Sequence, residues 1–246
     1  MVNHDRVNER YYGMVNTVKS QEATRARIHW ICRHVSGNRM LDAGCSQGIT
    51  SILLGREGRK VVGVDVEEDA IRYAQKELSR ESGPVRSKVQ FKVADVTELQ
   101  VHQLFDTVIL GQILEHFANP GLLISHAYRL LKDGGSLIVT VPYGYHPFHD
   151  HKQTFYAGSF GVCLDPWFEI KKLETQHNYL CCVAVKRKEI RNQTLPDASM
   201  MKSWVDFDSE RFVEIERQHL QAMEQRKKAL EQAYEQLKEL RKTKLK

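Results

Sequence analysis

Two aspartates and two glycines near the start of the chain have the types and the spacing needed to hold a nucleoside. Asp42 precedes Gly44 and Gly48, which are spaced as G-x-x-x-G, and Asp65 ends the next apolar run. Glycine has no Cβ, so the backbone can pass close to a bound molecule at both positions. A carboxylate at the end of a strand can accept hydrogen bonds from both ribose hydroxyls. The carboxylate beside the loop repels phosphate, so the pattern predicts a nucleoside that carries positive charge.

A histidine-rich stretch further along the chain has the chemistry of proton transfer. Residues 142–151 contain three imidazoles: His146, His149 and His151. A positioned imidazole can take the proton of a hydroxyl group at neutral pH. His149 and His151 are the favoured general bases, because Asp150 between them can orient a neighbouring ring. The alternative for two of the three histidines is a structural role, in which they cap the loop or face solvent.

Apolar patterns predict the elements that carry these residues. Short apolar runs predict seven strands, which begin near residues 40, 61, 89, 105, 136, 168 and 179. Runs with helical spacing alternate with them and cover residues 20–34, 49–54, 70–78 and 120–131. Strands that alternate with helices form a mostly parallel, right-handed wound sheet. The expected fold class is therefore α/β, with a doubly wound, mostly parallel seven-stranded sheet.

This sheet predicts one crevice for all of the candidate residues. In a doubly wound sheet, ligands lie beyond the carboxyl ends of the strands. Asp42 and Asp65 end the first two strands, Gly111 and Gln112 follow the fourth, and residues 142–151 follow the fifth. The nucleoside residues and the histidines should therefore face the same crevice.

The segment 42–48, Asp-Ala-Gly-Cys-Ser-Gln-Gly, resembles the first motif of the class I S-adenosylmethionine-dependent methyltransferases. In that family an acidic residue followed by spaced glycines holds the amino-acid end of the cofactor. A dinucleotide site would instead need G-x-G-x-x-G, and Ser46 stands where the second glycine would be. The chain departs from the family in having Cys45, Ser46 and Gln47 where many members have a loop richer in glycine.

The resemblance implies S-adenosylmethionine as the cofactor and a Rossmann-like methyltransferase fold with an antiparallel edge. In the family, an acidic residue at the position of Asp95 accepts a hydrogen bond from the adenine amino group. The binding residues that the resemblance implies are Asp42, Gly44, Cys45, Gln47, Gly48, Asp65, Val66, Asp95, Val96, Gly111 and Gln112.

A second resemblance concerns a metal ion. Residues 113–116, Ile-Leu-Glu-His, together with His149 or His151, look like the E-x-x-E-H motif and downstream histidine of the ubiquinone-pathway O-methyltransferases and the small-RNA 2′-O-methyltransferases. Members of those groups hold the acceptor with a divalent ion. The resemblance implies Glu115, His116 and His151 as ligands of Mg²⁺ or another divalent cation. Gln112 replaces the first glutamate of the motif and removes a negative charge, so the predicted site is weak or absent.

Composition limits the classes of protein to which the chain can belong. The 246 residues carry a formal net charge of only +5, without a dense basic block, and this disfavours a nucleic-acid partner. The five cysteines form no C-x-x-C pair, which is typical of a reducing compartment. No apolar run approaches the length of a membrane span or a signal sequence. The sequence therefore predicts a cytoplasmic protein without a membrane span.

Changes in composition along the chain predict four segments. Residues 1–36 are expected to form a helical cover, residues 37–188 the cofactor-binding domain, residues 189–208 a linker and residues 209–246 a long helix. Apolar residues recur in the last segment at alternating spacings of three and four. This helix could pair with a second subunit as a short coiled coil in a homodimer, or lie solvated on its own domain.

These observations favour an enzyme that methylates a hydroxyl oxygen of a small molecule or glycan precursor, with a histidine as general base. Two alternatives stay open at this point. The first is an RNA 2′-O-methyltransferase, which the Leu-Glu-His segment suggests and the mild charge disfavours. The second is a non-catalytic scaffold that binds the cofactor and has a coiled-coil tail.

Overall fold

The structure is a computed structural model that describes residues 6–146, 148–191 and 196–244. The chain divides into two compact units, Met1–Pro196 and Asp197–Lys246, and each is described by itself. Within the described ranges, no helix combines the length and the apolar character that crossing a membrane requires.

The first unit is built on one seven-stranded sheet. Its strands are β1 (Arg39–Ala43), β2 (Lys60–Asp65), β3 (Val89–Val93), β4 (Phe105–Gly111), β5 (Leu131–Pro142), β6 (Phe168–Gln176) and β7 (Tyr179–Lys186). They lie in the order β3-β2-β1-β4-β5-β7-β6. Strand β7 runs antiparallel to both of its neighbours, and all other pairs are parallel. The predicted doubly wound, mostly parallel sheet with an antiparallel edge is therefore confirmed.

Helices cover the sheet on both sides. In the first unit they are α1 (Val7–Tyr11), α2 (Val18–His34), α3 (Ile49–Arg56), α4 (Glu68–Ser79), α5 (Gly83–Arg86), α6 (Pro120–Leu130) and α7 (Ala157–Leu164). The side chains of Leu41 in β1 and of Val108 and Ile109 in β4 are fully buried. These central strands are apolar throughout because helices cover both of their faces. The strand order reverses between β1 and β4, which is where the ligand crevice of such a sheet opens.

Strand β5 differs from its prediction at its start. The run Lys132, Asp133, Gly134 and Gly135 predicts a turn before a strand that begins near residue 136, but β5 begins at Leu131. Leu131 pairs with Phe105 and Ser136 pairs with Thr107, so the four residues between them bulge out of the ladder. Gly134 permits this bulge with a φ of +71°. The predicted turn is thus an irregularity within the strand.

The second unit is the single long helix α8 (Ala198–Lys244). The sequence predicts a linker at residues 189–208 and a helix from residue 209, and the linker prediction is wrong from Ala198 onward; residues 192–195 lie outside the described ranges. The helix begins early because the side chain of Asp197 caps it, accepting hydrogen bonds from the Met200 N–H at 2.9 Å and the Ser199 hydroxyl at 2.6 Å. No glycine or proline follows to end the helix.

Candidate active site

A cleft opens at the carboxyl ends of β1 and β4. The space within it that a water-sized molecule can occupy is about 20 Å³. It is lined by Val7, Arg27, Ile31, Asp42, Gly44, Cys45, Ser46, Thr50, Ile109 and Gly111. Four residues predicted to bind the cofactor are in this lining: Asp42, Gly44, Cys45 and Gly111. The other seven lie outside the lining: Gln47, Gly48, Asp65, Val66, Asp95, Val96 and Gln112.

The loop between β1 and α3 is held in an unusual backbone conformation. Gly44, Ser46 and Gly48 all have positive φ angles, of +70°, +47° and +82°. Only glycine adopts this region at low cost, so Ser46 is held there by its surroundings. Its N–H donates to Oδ2 of Asp65 at 2.7 Å. The loop is thereby tied to the end of β2.

The two glycines of the loop are required by packing inside the protein. A Cβ on Gly44 would lie 2.6 Å from Cδ1 of Ile113, and a Cβ on Gly48 would lie 2.5 Å from the ring of Phe91. The sequence predicts that both glycines permit the close approach of a ligand. The structure adds that Ile113, which follows β4, packs directly on the loop. The loop after β4 and the loop between β1 and α3, which we call the cofactor loop, are therefore neighbours.

Asp42 is a buried carboxylate at the base of the cleft. Its Oδ2 accepts a hydrogen bond from the Ser51 hydroxyl at 2.7 Å. Burial raises the pKa of Asp42 to about 6, and the nearby Asp65 carboxylate raises it further, whereas the Ser51 hydrogen bond lowers it. In the folded protein the charged form is therefore disfavoured. The free energy of unfolding should fall as the pH rises from about 4 to about 6, because the unfolded chain releases this proton first.

Asparagine at position 42 is expected to make the protein more stable than the wild type at pH 7.5. The amide keeps an oxygen for the Ser51 hydroxyl and removes the buried charge. The gain should be on the order of 3 kcal/mol above pH 6 and should vanish below pH 4. Urea unfolding of Asp42→Asn across this range measures it, with Asp69→Asn on the exposed side of α4 as the control. If the difference in unfolding free energy between Asp42→Asn and the wild type does not change with pH, the raised pKa of Asp42 is contradicted.

Asp65 ends β2 and is partly exposed. Besides the Ser46 N–H, it accepts the Glu67 N–H at Oδ1, at 3.0 Å. A carboxylate has about four lone-pair sites, so these two bonds leave acceptor capacity for a ligand. The next residue, Val66, is 60% exposed, and this leaves an apolar surface beside the carboxylate.

Asp95 lies two residues beyond the end of the neighbouring strand β3. Its Oδ1 accepts hydrogen bonds from the backbone N–H of Thr97 at 2.8 Å and from the Thr97 hydroxyl at 2.7 Å, so it caps a short 3-10 turn. Val96 is buried within this turn. The backbone N–H of Ala94 donates to the carbonyl of Asp65 at 2.9 Å, which holds the ends of β2 and β3 together.

Gln47 and Gln112 make contacts within the protein. The side-chain oxygen of Gln47 accepts the backbone N–H of Asn8 in α1 at 2.9 Å. Gln112 has a positive φ of +61°, and its backbone N–H donates to the Thr140 carbonyl at 2.8 Å. The loops at the carboxyl ends of β1 and β4 therefore each contain a non-glycine residue with a positive φ, Ser46 in the first and Gln112 in the second. Strained backbone of this kind tends to occur at functional sites.

Arg27 and Asn8 contribute to the cleft and to the packing beside it, although no sequence motif indicated either residue. Arg27 of α2 is only 5% exposed, stacks on the ring of Tyr179 at 5.1 Å, and has an Nε without a hydrogen-bond partner among the described residues. Asn8 of α1 accepts the Ile49 N–H at 3.0 Å and thereby caps α3. One feature of the sequence could have indicated Arg27. It is a charged residue close to Ile28 and Ile31, on the face of α2 that is buried.

The second group of candidate residues comes together at the edge of the crevice. Glu115, His116 and His151 each offer a ligand atom, and these atoms lie within 4.8 Å of one another. The backbone brings them together, because the N–H groups of Lys152 and Gln153 both donate to the Glu115 carbonyl, at 2.7 and 3.1 Å. Nδ1 of His116 lies 3.0 Å from Oδ2 of Asp150. The loops after β4 and β5 thus meet as the sequence predicted.

The three histidines of the β5 loop have different surroundings. The ring of His151 lies 5.1 Å from that of His116 and 5.3 Å from that of His146. Burial lowers the pKa of His151, and the neighbouring imidazoles of His116 and His146 lower it further. His149 is exposed and its ring packs on Phe148 at 4.7 Å. The structure therefore brings His151 to the cluster and leaves His149 at the surface.

The chain is similar to known methyltransferases over its central part. A family model described as a methyltransferase domain matches residues 34–157. The mitochondrial ubiquinone biosynthesis O-methyltransferase of Mus musculus is 37% identical over 109 residues, which cover 43% of this chain and 29% of that protein. The ubiquinone biosynthesis O-methyltransferase of Dechloromonas aromatica is 36% identical over 118 residues, covering 46% of this chain and 49% of that protein. The chain thus spans about half, or less, of the length of these relatives.

Solved structures share the fold at low sequence identity. The magnesium protoporphyrin IX methyltransferase of Synechocystis with bound S-adenosylhomocysteine superposes with a TM-score of 0.59 at 20% identity, covering 74% of this chain and 94% of that one. An N-methyltransferase of Bradyrhizobium japonicum in complex with S-adenosylhomocysteine gives a TM-score of 0.57 at 16% identity, covering 68% of this chain and 88% of that one. Because the family model matches half of the 246 residues and the sheet has the expected order, the chain belongs to the methyltransferase-domain family, within the class I S-adenosylmethionine-dependent methyltransferases.

Proposed function

We propose that this protein transfers the methyl group of S-adenosylmethionine to a hydroxyl oxygen of a small-molecule or glycan-precursor acceptor, with His151 as the general base. The observation that carries the proposal is the position of His151. It lies in a cluster with Glu115 and His116 beside Ile113, and Ile113 packs on the cofactor loop at Gly44. A base at this place is next to the cleft that would hold the methyl donor.

Residues that line the cleft, together with residues at the ends of the neighbouring strands, suit the two ends of the cofactor. Asp65 has acceptor capacity for the ribose hydroxyls, with Val66 and Val96 as apolar neighbours for the adenine and Asp95 as an acceptor for its amino group. Asp42 suits the positively charged amino-acid end. The buried guanidinium of Arg27 has an unused donor and would bind the carboxylate of the same end. The ammonium and the carboxylate of the amino-acid end thus each have an opposite charge near them.

The chemical step asks for alignment and for removal of one proton. S-adenosylmethionine, when bound, supplies an electrophilic methyl group on its sulfonium. A hydroxyl oxygen is a poor nucleophile until its proton leaves, and an imidazole can accept that proton. The contact between Nδ1 of His116 and Oδ2 of Asp150, at 3.0 Å, orients the His116 ring. The same ring packs against the ring of His151. The names of the curated relatives, which are O-methyltransferases, support an oxygen acceptor.

The same cluster could hold a divalent cation, and the two roles compete for His151. One carboxylate oxygen and two imidazole nitrogens fit a borderline ion such as Zn²⁺ better than Mg²⁺, which prefers oxygen ligands. A bound ion would lower the pKa of an acceptor hydroxyl. A nitrogen of His151 that binds an ion has no lone pair left with which to accept a proton, so the same nitrogen cannot serve in both roles. Gln112 supplies no charge to the cluster, and we therefore propose the metal-free role.

Removal of divalent ions is expected to leave turnover unchanged. The protein is dialysed against EDTA, and release of S-adenosylhomocysteine is measured with a panel of catechol and sugar-hydroxyl acceptors, with and without added Mg²⁺, Mn²⁺ or Zn²⁺. A loss of activity that one of these ions restores would contradict the metal-free role and assign Glu115, His116 and His151 as ligands. Cofactor binding by calorimetry without turnover of any acceptor would instead favour the non-catalytic scaffold.

A further inference from the structure

The long helix α8 presents a regular apolar seam to solvent. Six side chains along it are between 59% and 73% exposed: Val213, Leu220, Met223, Leu230, Tyr234 and Leu237. Their spacings are seven, three, seven, four and three residues. Such a pattern places all six on one narrow stripe of the helix. A large apolar stripe left in water calls for a partner.

The seam fits the heptad repeat of a coiled coil without a break in register. Val213, Leu220 and Tyr234 fall on position a, while Met223, Leu230 and Leu237 fall on position d. Lys227 occupies the remaining a position and Glu216 the remaining d position. A single lysine at an a position is a known specifier of register and of a two-stranded state, since its long stem packs while its ammonium reaches water.

We propose that α8 pairs with α8 of a second copy of this chain as a parallel, in-register, two-stranded coiled coil over residues 213–237. At 1.5 Å per residue this seam is about 37 Å long. The proposal goes beyond the methyl-transfer function and does not depend on it.

The charges that flank the seam set the orientation. In the middle of the seam, position g carries His219 and Arg226 on one edge, and position e carries Glu224 and Glu231 on the other. The two outer e positions are Arg217 and Lys238, and in a parallel pair they face the uncharged g residues Phe212 and Ala233. In a parallel pair, the g residue of one helix faces the e residue five positions further along its partner. His219 then faces Glu224 of the second copy, and Arg226 faces Glu231. An antiparallel pair would instead place the basic g edge against the same basic edge.

The charge pattern also argues against a membrane surface as the occupant. Helices that lie on membranes are rich in lysine and arginine on their polar face. In α8 the e border has Arg217 and Lys238 at its two ends but Glu224 and Glu231 in its middle, and anionic headgroups would repel these two carboxylates. The apolar stripe is moreover only as wide as the a and d positions, which is the width of a coiled-coil seam and less than a membrane-binding face needs.

Light scattering of the full chain is the first test. The chain has a mass of 28.5 kDa, and the wild type should scatter as twice that value. The double variant Leu220→Glu and Leu230→Glu should scatter as a single chain. Its matched control, Gln218→Glu and Gln232→Glu, adds the same charge on the outer face of α8 and should stay a dimer. A wild type that is monomeric or trimeric, or that becomes dimeric only with added anionic vesicles, would overturn the proposal.

Charge reversal tests the g–e pairing. Arg226→Glu alone and Glu231→Arg alone should each weaken the dimer, because each places like charges opposite one another in both copies. The two changes together should restore it. The residues are five positions apart, so they are not neighbours on their own helix. Failure of the double variant to recover would overturn the parallel arrangement.

Cross-linking tests the orientation directly. Val213→Cys should form a disulfide with itself under mild oxidation, because equal positions face one another in a parallel, in-register pair. The wild type, whose five cysteines are buried or partly buried, gives the background. A mixture of Val213→Cys and Leu237→Cys chains that cross-links only between the two variants would show an antiparallel pair and overturn the proposal.

Discussion

Turnover is expected to fall by about 10²–10⁴-fold when His151 is replaced by alanine, which is the range that a positioned general base contributes. His151 lies in the cluster at the crevice, with its ring 5.1 Å from that of His116. His149→Ala is the matched control, because His149 is exposed and packs on Phe148. The control should keep turnover within a few-fold of the wild type.

The measurement is release of S-adenosylhomocysteine with the acceptor that the wild type turns over best. A base that is lost can be replaced in part by hydroxide, so the variant should recover activity as the pH rises. Cofactor affinity should be unchanged in both variants, since neither His149 nor His151 is among the residues predicted to bind the cofactor. Equal rates for His151→Ala and the wild type would place the base elsewhere, and His146 would then be the next residue to test.

Replacing Asp65 by alanine is expected to weaken the binding of S-adenosylmethionine by at least about 100-fold. Two charge-assisted hydrogen bonds to the ribose are lost, each contributing about 1.5–3 kcal/mol. The variant also loses the acceptor of the Ser46 N–H, which holds the strained loop beside the cleft. The effect therefore has two sources, direct contact and loop order, and both act on the cofactor.

Calorimetric titration with S-adenosylmethionine measures this loss, and thermal unfolding shows whether the fold remains cooperative. Asp69→Ala is the control, because Asp69 is an exposed carboxylate in the first turn of α4 that pairs with Arg72. It should bind the cofactor as the wild type does. Unchanged affinity in a folded Asp65→Ala protein would mean that the ribose contact is misplaced.

The sequence alone determined the fold class and the family. Buried parallel strands leave continuous apolar runs, and the helices between them leave runs with helical spacing, so the order of the elements can be read from local patterns. Local sequence patterns also identified the acidic residues at the ends of β1 and β2 and the glycines between them. The loops after β4 and β5 were expected at one crevice because parallel strands bring their carboxyl ends to the same edge.

Only the tertiary structure decided which side chains within those loops come together. His149 and His151 are nearly equivalent in sequence, yet one is at the surface and the other in the cluster, because the β5 loop is pinned at Lys152 and Gln153 by the Glu115 carbonyl. Arg27 of α2 lines the cleft. The sequence shows that this helix carries a charge here, but it does not show which residues the charge contacts. The start of α8 depended on the cap that Asp197 provides. Local periodicity reports which elements form, whereas contacts between residues distant in the chain decide what each side chain touches.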